Sequence, residues 1–347
     1  MAERQDSLFL RAARREPVDR TPIWLMRQAG RSLPEYRKLR ERWTLVDIVA
    51  QPDLCAEVTL QPVRRLAVDA AVMFADIMLP LRGMGVDFEL VESIGPVIAR
   101  PVRTPADVDA LAEPEGDEAA PQVIQSVRRV VAESPVPVIC FCGAPFTLAS
   151  YLIEGKPSRD FSLAKRFMFS EPGAFDRLLG KLARVMARYL VAQVAAGASA
   201  LQVFDSWVGA LAVEDYEARV APHTRAIFEA TASLGVPRVH FGTGTASLLE
   251  SIAATGPDVV SLDWRVPLDA GWARVGTDRG VQGNLDPAVL LGPADLVRER
   301  ARDVLRRAGG RPGHVFNLGH GVMPETPLDN LQTLIETVHE GIPAGVG

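Results

Sequence analysis

The sequence predicts a (β/α)8 barrel, in which eight parallel strands form a ring surrounded by helices. Short apolar runs alternate with longer amphipathic segments along the 347 residues, and near-continuous apolar runs are typical of parallel strands buried on both faces. The eight runs are TPIWLM (21–26), AAVMFADIM (70–78), VPVICFCG (136–143), SALQVFDS (199–206), PRVHFGTG (237–244), DVVSLDW (258–264), GVQGNL (280–285) and HVFNLGHG (314–321). No Gly/Ser linker divides the chain, so we expect one barrel domain over residues 1–347.

Nearly every apolar run ends in a polar or glycine residue at its C-terminal side. These residues are Arg27, Asp76, Gly143, Asp205, Ser206, Gly242, Thr243, Asp263, Asn284 and His320. In a barrel the C-terminal ends of the strands meet at one rim, where catalytic groups are found. The rival fold, a doubly wound open sheet, requires a glycine-rich phosphate turn after its first strand, and AGRSLPEYR is neither a G-x-G-x-x-G nor a Walker sequence. The barrel is therefore favoured.

The segments between the runs predict helices and one insertion. The pattern over 171–197 has apolar residues at three- and four-residue spacing and ends in glycine, which predicts a long helix. A second helix over 215–235 should be kinked by Pro222. The stretch VDFELVESIGPVIARPV (86–102) predicts a β-hairpin that turns at Ser-Ile-Gly-Pro and is inserted after the second strand.

Composition excludes several classes of function. The net charge of −5 makes nucleic-acid binding a poor fit, because such domains are usually basic. Three cysteines, an odd number in a large chain, disfavour a disulfide framework and suit a reducing compartment. Cys140 and Cys142 share one strand face, and we interpret them as small buried hydrophobic residues rather than metal ligands. Neither a signal sequence nor a membrane span is recognisable, so we expect a cytoplasmic protein.

Arg27 and Arg31 pose the main question about function. If the chain becomes helical after the first strand, a spacing of four places both guanidinium groups on one face. A solvated helix face is one interpretation. The alternative is a clamp for a polyanionic ligand, because guanidinium binds carboxylate or phosphate through two parallel hydrogen bonds. The position directly after a strand favours the clamp.

Other candidate residues have structural and functional interpretations. Asp76 lies in an otherwise uncharged stretch, where a carboxylate needs a partner, either a structural one or a ligand N–H group. Asp205, Ser206 and Thr147 could serve as caps or as site residues. The phenol of Tyr151 needs a partner if it is buried. His320 stands between two glycines, which allow a ligand close to the backbone.

Several long blocks of the chain resemble the uroporphyrinogen decarboxylase family. PIWLMRQAGRSLPEYR and GAPFTLASYLIEG are similar to its two signatures, and FADIMLPL, VFDSWVG, VQGNLDP and FNLGHGVMPETP are similar to its other blocks, in the same order. The resemblance covers essentially the whole chain. Ser32 replaces a usual aromatic residue, and Phe146 stands where tryptophan is common.

The resemblance implies a (β/α)8 barrel that works as a cytoplasmic homodimer without a metal or an organic cofactor. It implies that the acetate arms of uroporphyrinogen III lose CO2 to give coproporphyrinogen III in haem biosynthesis. The implied catalytic residues are Asp76 and Arg27. The implied substrate-binding residues are Arg27, Gln28, Ala29, Gly30, Arg31, Asp76, Tyr151, Ser206 and His320.

These roles follow from the chemistry of the reaction. Arg27, Arg31 and His320 would hold substrate carboxylates as cations, and Asp76 would stabilise positive charge on the pyrrole. Arg27 is a weak acid because its pKa exceeds about 12, so His320, Tyr151 or water could also donate the proton.

Two alternative functions remain open. A corrinoid-dependent methyltransferase of the same fold would use zinc bound by His-x-Cys, but His240 is followed by Phe241-Gly242. A non-catalytic tetrapyrrole-binding protein would keep the carboxylate clamps and could dispense with Asp76.

Overall fold

A curled parallel sheet with helices around it forms the centre of the computed structural model, which describes residues 6–91 and 94–342. Seven strands lie in the order β1-β4-β5-β6-β7-β8-β9, and every neighbouring pair is parallel. The strands are β1 (Ala71–Val72), β4 (Val138–Gly143), β5 (Ala200–Asp205), β6 (Arg238–Gly242), β7 (Val259–Ser261), β8 (Gly280–Gln282) and β9 (His314–Val315). All seven lie within apolar runs that the sequence predicts to be strands.

Helices follow the strands and cover the outer face of the sheet. The α-helices are α1 (Leu8–Ala13), α2 (Pro34–Arg40), α3 (Leu45–Val49), α4 (Pro52–Leu66), α5 (Pro105–Asp109), α6 (Gly116–Ala119), α7 (Pro121–Glu133), α8 (Pro145–Glu154), α9 (Ser162–Ser170), α10 (Pro172–Ala195), α11 (Val213–Asp215), α12 (Ala221–Ala230), α13 (Leu249–Ala253), α14 (Leu268–Val275), α15 (Ala294–Ala308) and α16 (Leu328–Glu340). Short 3-10 turns span Leu79–Arg82, Val208–Ala210, Ala232–Leu234 and Pro287–Leu291. Within the described residues, no helix is long and apolar enough to cross a bilayer.

The predicted helices over 171–197 and 215–235 are both present. The first is α10. The second is interrupted immediately before Pro222, where a π-helical turn (Tyr216–Val220) precedes α12. A proline in a helix interior removes one backbone hydrogen bond and crowds the preceding turn, so an irregular turn at this point is the expected response.

The first predicted strand, 21–26, forms only an isolated bridge between Ile23 and Phe316. Side chains take the backbone donors that a strand would use. The N–H of Ile23 donates to Asp69 (2.8 Å), that of Leu25 to Gln28 (2.9 Å) and that of Met26 to Asn317 (3.1 Å). The prediction of a full strand there is therefore wrong, although the segment lies where the first strand was expected.

Strands β2 (Phe88–Val91) and β3 (Gly95–Ile98) form a separate antiparallel pair after β1. This pair lies within the segment 86–102, for which the sequence predicts an inserted hairpin. The turn was predicted at residues 93–96, but Gly95 and Pro96 belong to β3 and pair with Val91 and Leu90. Residues 92 and 93 lie outside the described residues.

Side chains fill the space enclosed by the sheet. Phe9 and Leu10 of α1 are about 1% exposed and pack with Trp24, Ile139 and Val315, so α1 covers one end of the enclosed core. Fully burying a Phe or Leu side chain contributes about 1.5–3 kcal/mol.

A polar layer crosses this core. The indole N–H of Trp24 donates to Gln282 (3.0 Å), which itself donates to Gln202 (3.1 Å) and Ser261 (3.0 Å). These contacts join three strands across the interior, although the side-chain nitrogen of Gln202 has no partner within the described residues. Because Trp24, Gln202, Ser261 and Gln282 are all buried, the interior is a packed core and not a channel.

Candidate functional site

Four of the predicted site residues lie close enough at the C-terminal ends of the strands to perturb one another electrostatically. Burial raises the pKa of Asp76 and Tyr151, and the charge of Arg27 opposes both rises, while the charge of Asp76 adds to that of Tyr151. Burial lowers the pKa of His320, and the charge of Arg27 adds to that effect. These side chains come from four separate parts of the chain. The structure therefore brings Arg27, Asp76, Tyr151 and His320 into one cluster.

Arg27 lies in a tight turn and not on a helix. Its φ of +61° is in the left-handed region, which a non-glycine residue rarely adopts. Helix α2 begins only at Pro34, so Arg27 and Arg31 do not share a helical face, and the expectation that they would is wrong. The backbone N–H of Gln28 donates to Leu25 O (2.9 Å), and this bond closes the turn. No helix forms at this point.

The stem of Arg27 lies across the backbone next to His320. A Cβ atom at Gly321 would come within 2.7 Å of Arg27 Cγ, so the side chain of Arg27 packs directly on the backbone of the residue after His320. This packing places the charge of Arg27 near the His320 ring. Arg31 is exposed at the end of the same turn, and its carbonyl accepts a hydrogen bond from Arg37 (3.0 Å).

The segment Gln28–Gly30 combines a buried side chain with unpaired backbone N–H groups. The side chain of Gln28 is fully buried; its amide nitrogen donates to Ala70 O (3.0 Å), and its oxygen accepts from Leu25 N. It therefore supports the turn. Among residues 6–91 and 94–342, the backbone N–H groups of Ala29 and Gly30 donate to no backbone carbonyl.

Asp76 is a half-buried carboxylate with little hydration. Loss of water raises its pKa, and the hydrogen bond from Met78 N–H (2.9 Å to Oδ1) and the positive charge of Arg27 oppose that rise. Since burial outweighs both favourable contacts, the anion is poorly solvated. Hydrogen-bond donors on a ligand would replace the missing water.

Aromatic rings lie next to Tyr151 and His320, and Phe241 makes an edge contact with the His320 ring (centroids 6.1 Å apart). Tyr151 on α8 makes an edge contact with Trp207 (ring centroids 5.9 Å apart), and burial raises the pKa of the phenol, which is therefore protonated at neutral pH. Phe204 packs edge-on against both Phe141 (5.1 Å) and Phe241 (5.6 Å). The cluster thus combines charged groups with flat apolar surfaces.

His320 is a neutral imidazole in this environment. Burial lowers its pKa from 6.5 to about 4, and the nearby charges of Arg27 and Arg265 act in the same direction, while Asp263 opposes them. The expectation that His320 carries a positive charge is therefore corrected, because the unliganded ring is neutral at pH 7. A neutral imidazole can still donate one hydrogen bond.

Ser206 is held at the cluster by a network that the sequence did not identify. The carbonyl of Ser206 accepts from the Thr243 hydroxyl (2.6 Å). The hydroxyl of Thr147 donates to Asp205 (2.9 Å) and accepts from Trp207 N (3.2 Å). Thr147 is therefore not a helix cap but a link between α8, which carries Tyr151, and the loop that carries Ser206.

Comparison with known proteins decides the family. A sequence model described as uroporphyrinogen decarboxylase (URO-D) matches residues 4–341. The chain belongs to the uroporphyrinogen decarboxylase family. It is 52% identical over 334 residues to the uroporphyrinogen decarboxylase of Carboxydothermus hydrogenoformans, covering 96% of this chain and 95% of that protein. It is 53% identical over 335 residues to that of Thermus thermophilus, covering 96% of this chain and 98% of that protein.

Solved structures show the fold of this family member at lower sequence identity. A methyltransferase from Methanosarcina mazei aligns over 96% of this chain and 98% of its own, with a TM-score of 0.82 and 20% identity. A B12-independent methionine synthase from Shewanella sp. W3-18-1 covers 83% and 87%, with a TM-score of 0.57 and 12% identity. At such low identity these likenesses describe the fold alone.

The described part of this decarboxylase-family chain lacks the metal ligands that a zinc-dependent methyltransferase would need. His240 is fully buried in β6, and its Nε2 lies 3.5 Å from Asp205 Oδ2. In residues 6–91 and 94–342 no group of three His, Cys, Asp or Glu side chains is arranged to hold a metal ion. Cys55, Cys140 and Cys142 are free and buried, as predicted, and burial raises the pKa of all three thiols.

A groove of about 460 Å³ opens at the opposite end of the strands from this cluster. Its arginines already bind protein groups: Arg238 pairs with Asp258 (2.8 Å), Arg279 donates to Pro257 O (2.7 Å) and Arg15 to Asp278 O (3.0 Å). The groove is thus separate from the polar cluster at the C-terminal rim.

Proposed function

We propose that this chain decarboxylates the four acetate arms of uroporphyrinogen III to methyl groups, giving coproporphyrinogen III and CO2 in haem biosynthesis. The observation that carries the proposal is the Asp76 carboxylate, whose pKa burial raises and which interacts electrostatically with the Arg27 guanidinium and the Tyr151 phenol. A tetrapyrrole with a polar N–H centre and a carboxylated rim is complementary to that arrangement. Membership of the family supplies the substrate class.

The substrate itself can supply the electron sink for decarboxylation. Protonation of a pyrrole α-carbon gives an iminium conjugated to the acetate arm on the neighbouring ring carbon. The bond between the CH2 of that arm and its carboxylate then breaks and releases CO2. The bonding electrons move into the ring and leave an exocyclic methylene group. A proton added to the methylene gives the methyl group, and loss of the first proton from the ring carbon restores the pyrrole. One proton thus replaces each CO2, and we expect that neither a metal nor an organic cofactor is needed.

The protein's part is to stabilise the cation and hold the arms. We assign Asp76 to the pyrrole N–H groups, because a dehydrated carboxylate gains most from new donors and from nearby positive charge. Arg27 and Arg31 hold carboxylates, together with the N–H groups of Ala29 and Gly30, which donate to no backbone carbonyl in the part of the chain that the structure describes. Tyr151 and His320 act as neutral hydrogen-bond donors, and Ser206 contributes its hydroxyl.

We further propose that the barrel is closed by eight members. The segment at Pro22–Trp24 lies between the two edges of the seven-stranded sheet: Phe316 N donates to Pro22 O (2.8 Å), and Asp69 N donates to Ile23 O (2.8 Å). The β2–β3 pair is then an insertion after the second member. By family likeness we also propose a single domain over residues 1–347 that works as a cytoplasmic homodimer.

An anaerobic assay tests the proposed activity. Oxygen must be excluded because the oxidised porphyrin is aromatic and lacks the reactive pyrrole. The purified protein, with no additive, should convert uroporphyrinogen III to coproporphyrinogen III, which chromatography separates. Absence of product from verified folded protein would reject the proposal.

Asp76→Asn tests the residue assigned to the cation. The amide keeps the shape but removes the charge, so turnover should fall about 100-fold or more, the usual loss for one preorganised electrostatic group. The melting temperature should stay the same or rise, because the pKa of Asp76 shows that its charged form is poorly solvated. Asp87→Asn, an exposed Asp at the start of the β2 region, makes the same charge change and should leave turnover within twofold. Near-normal activity of Asp76→Asn would remove Asp76 from the mechanism.

A further inference from the structure

The loop after β7 carries an arginine to which the proposed function gives no role. Asp263 in this loop is 2% exposed and accepts hydrogen bonds from the backbone N–H of Arg265 (2.9 Å) and from its guanidinium (2.8 Å). The Arg265 guanidinium lies 4.1 Å from the ring centroid of Trp264. A long side chain that usually samples many rotamers is therefore fixed by an ion pair and a stacked ring.

This loop lies directly against the residue that precedes His320. A Cβ atom at Gly319 would come within 3.0 Å of the carbonyl carbon of Asp263 and would overlap the amide of Trp264. On its other side, Asn284 donates to Asp263 O (2.9 Å) and to Val266 O (2.6 Å). The backbone of the loop is thus held at the same rim as Arg27 and His320. Besides burial and Arg27, the positive charge of Arg265 helps to lower the pKa of His320.

The guanidinium has unused capacity for a ligand. The side chain of Arg265 is 50% exposed, and one of its five N–H donors is used by Asp263. Arginine binds carboxylates through two parallel donors, and pre-ordering of the side chain reduces the entropy lost on binding. The exposed part of the guanidinium therefore suits a carboxylate at the edge of a bound ligand.

We propose that Arg265 binds a peripheral carboxylate of the porphyrinogen and thereby contributes to selectivity for highly carboxylated substrates. This inference rests on the proposed function. Arg27 and Arg31 come from the turn after the first segment, whereas Arg265 comes from the loop after β7. A ring with carboxylates on its whole periphery can contact arginines from both loops at once. Because this contact does not involve the reacting ring carbon, it stabilises substrate and transition state alike.

Steady-state kinetics of Arg265→Gln test this role. Glutamine keeps much of the length but removes the charge, so KM for uroporphyrinogen III should rise about tenfold with kcat within twofold, as expected for uniform binding. Arg265→Lys keeps the charge but not the two parallel donors, so its KM should lie between those of the wild type and Arg265→Gln. Arg274→Gln is the matched control: this arginine pairs with Glu250 on the neighbouring helices α14 and α13, and its loss should leave KM within twofold.

A measurement without substrate separates binding from a structural role. In Arg265→Gln the pKa of His320, followed by NMR, should rise, because one of the positive charges that lower it is gone. An unchanged melting temperature, the raised His320 pKa and the raised KM together support the proposal. An unchanged KM in an active, folded variant overturns it, and so does a loss confined to kcat. An inactive wild-type protein would instead overturn the proposed function.

Discussion

At the scale of single residues, the charge of His320 depends on neighbours that are distant in the chain. Burial lowers its pKa from 6.5 to about 4, with help from the charges of Arg27 and Arg265. The sequence located His320 at a strand end, next to glycines. It could not give the charge, because Arg27 comes from the opposite end of the chain and reaches the ring only after folding.

The lowered pKa of His320 predicts a loss of stability in mild acid. The unfolded chain takes up the proton near pH 6.5 and the folded chain only near pH 4, so between these values the unfolded state binds more protons. Stability is therefore complete above pH 6.5 and falls as the pH decreases towards 4. His314, whose pKa burial also lowers to about 4, contributes in the same window.

Urea unfolding at several pH values measures this effect. His320→Gln should reduce the acid-induced loss of unfolding free energy between pH 6.5 and 4 by about half, because His314 still titrates. His320→Gln combined with His314→Gln should flatten the curve further in that window. A curve for His320→Gln parallel to that of the wild type would mean that the His320 ring is not held neutral.

At the scale of elements, the contact between α8 and the loop after β5 depends on one hydroxyl. Thr147 on α8 donates to the fully buried Asp205 and accepts from Trp207 N. The second oxygen of that carboxylate, Oδ2, has no hydrogen-bond partner within the described residues. Thr147 thus donates to a buried carboxyl group and also fixes the loop that carries Ser206.

Thr147→Val should lower both stability and turnover. Valine has nearly the same shape but leaves the buried carboxylate without its hydroxyl donor, so the unfolding free energy should fall by about 2–3 kcal/mol. Turnover should fall about tenfold as the Ser206 loop loosens. Urea unfolding and the anaerobic assay measure the two effects.

Thr224→Val, on helix α12, is a matched control for Thr147→Val. Thr224 is also fully buried, but within residues 6–91 and 94–342 its hydroxyl has no partner. Since valine there removes an unsatisfied polar atom, we expect stability to be equal or higher. Equal losses in the two variants would show that the Thr147 hydroxyl has no special role.

Side chains that bond to backbone N–H groups also limit how well helices and strands can be predicted from sequence. Apolar runs located β4, β5 and β6 closely because those strands pair with one another through backbone groups. The run at 21–26 looked equally strand-like, but Asp69, Gln28 and Asn317 take its N–H donors. Two of these partners are distant in sequence, so no local pattern could reveal them. The turn at Arg27 was missed for a related reason, because Gln28 both closes it and links it to Ala70.

At the scale of the whole molecule, Asp69 joins the first segment, the sheet and the last helix. Its carboxylate accepts from both Arg20 nitrogens (2.8 and 2.6 Å) and from Ile23 N (2.8 Å), and it contacts His339 of α16 (3.3 Å). Burial alone would raise the pKa of Asp69, but the hydrogen bonds from His339, Arg20 and Ile23 outweigh it and lower the pKa. One side chain thus connects the two ends of the chain at the edge of the sheet.

Asp69→Ala should therefore destabilise the whole molecule. Losing these bonds at one partly buried carboxylate should lower the unfolding free energy by about 2–3 kcal/mol in urea titrations at neutral pH. The lowered pKa means that the native carboxylate stabilises the fold above pH 3.8, so the difference from wild type should narrow as the pH falls below that value. Asp295→Ala removes a carboxylate that is 99% exposed and paired with Arg298, and should cause no measurable change. If the two variants behave alike, the junction at Asp69 does not hold the sheet edges together.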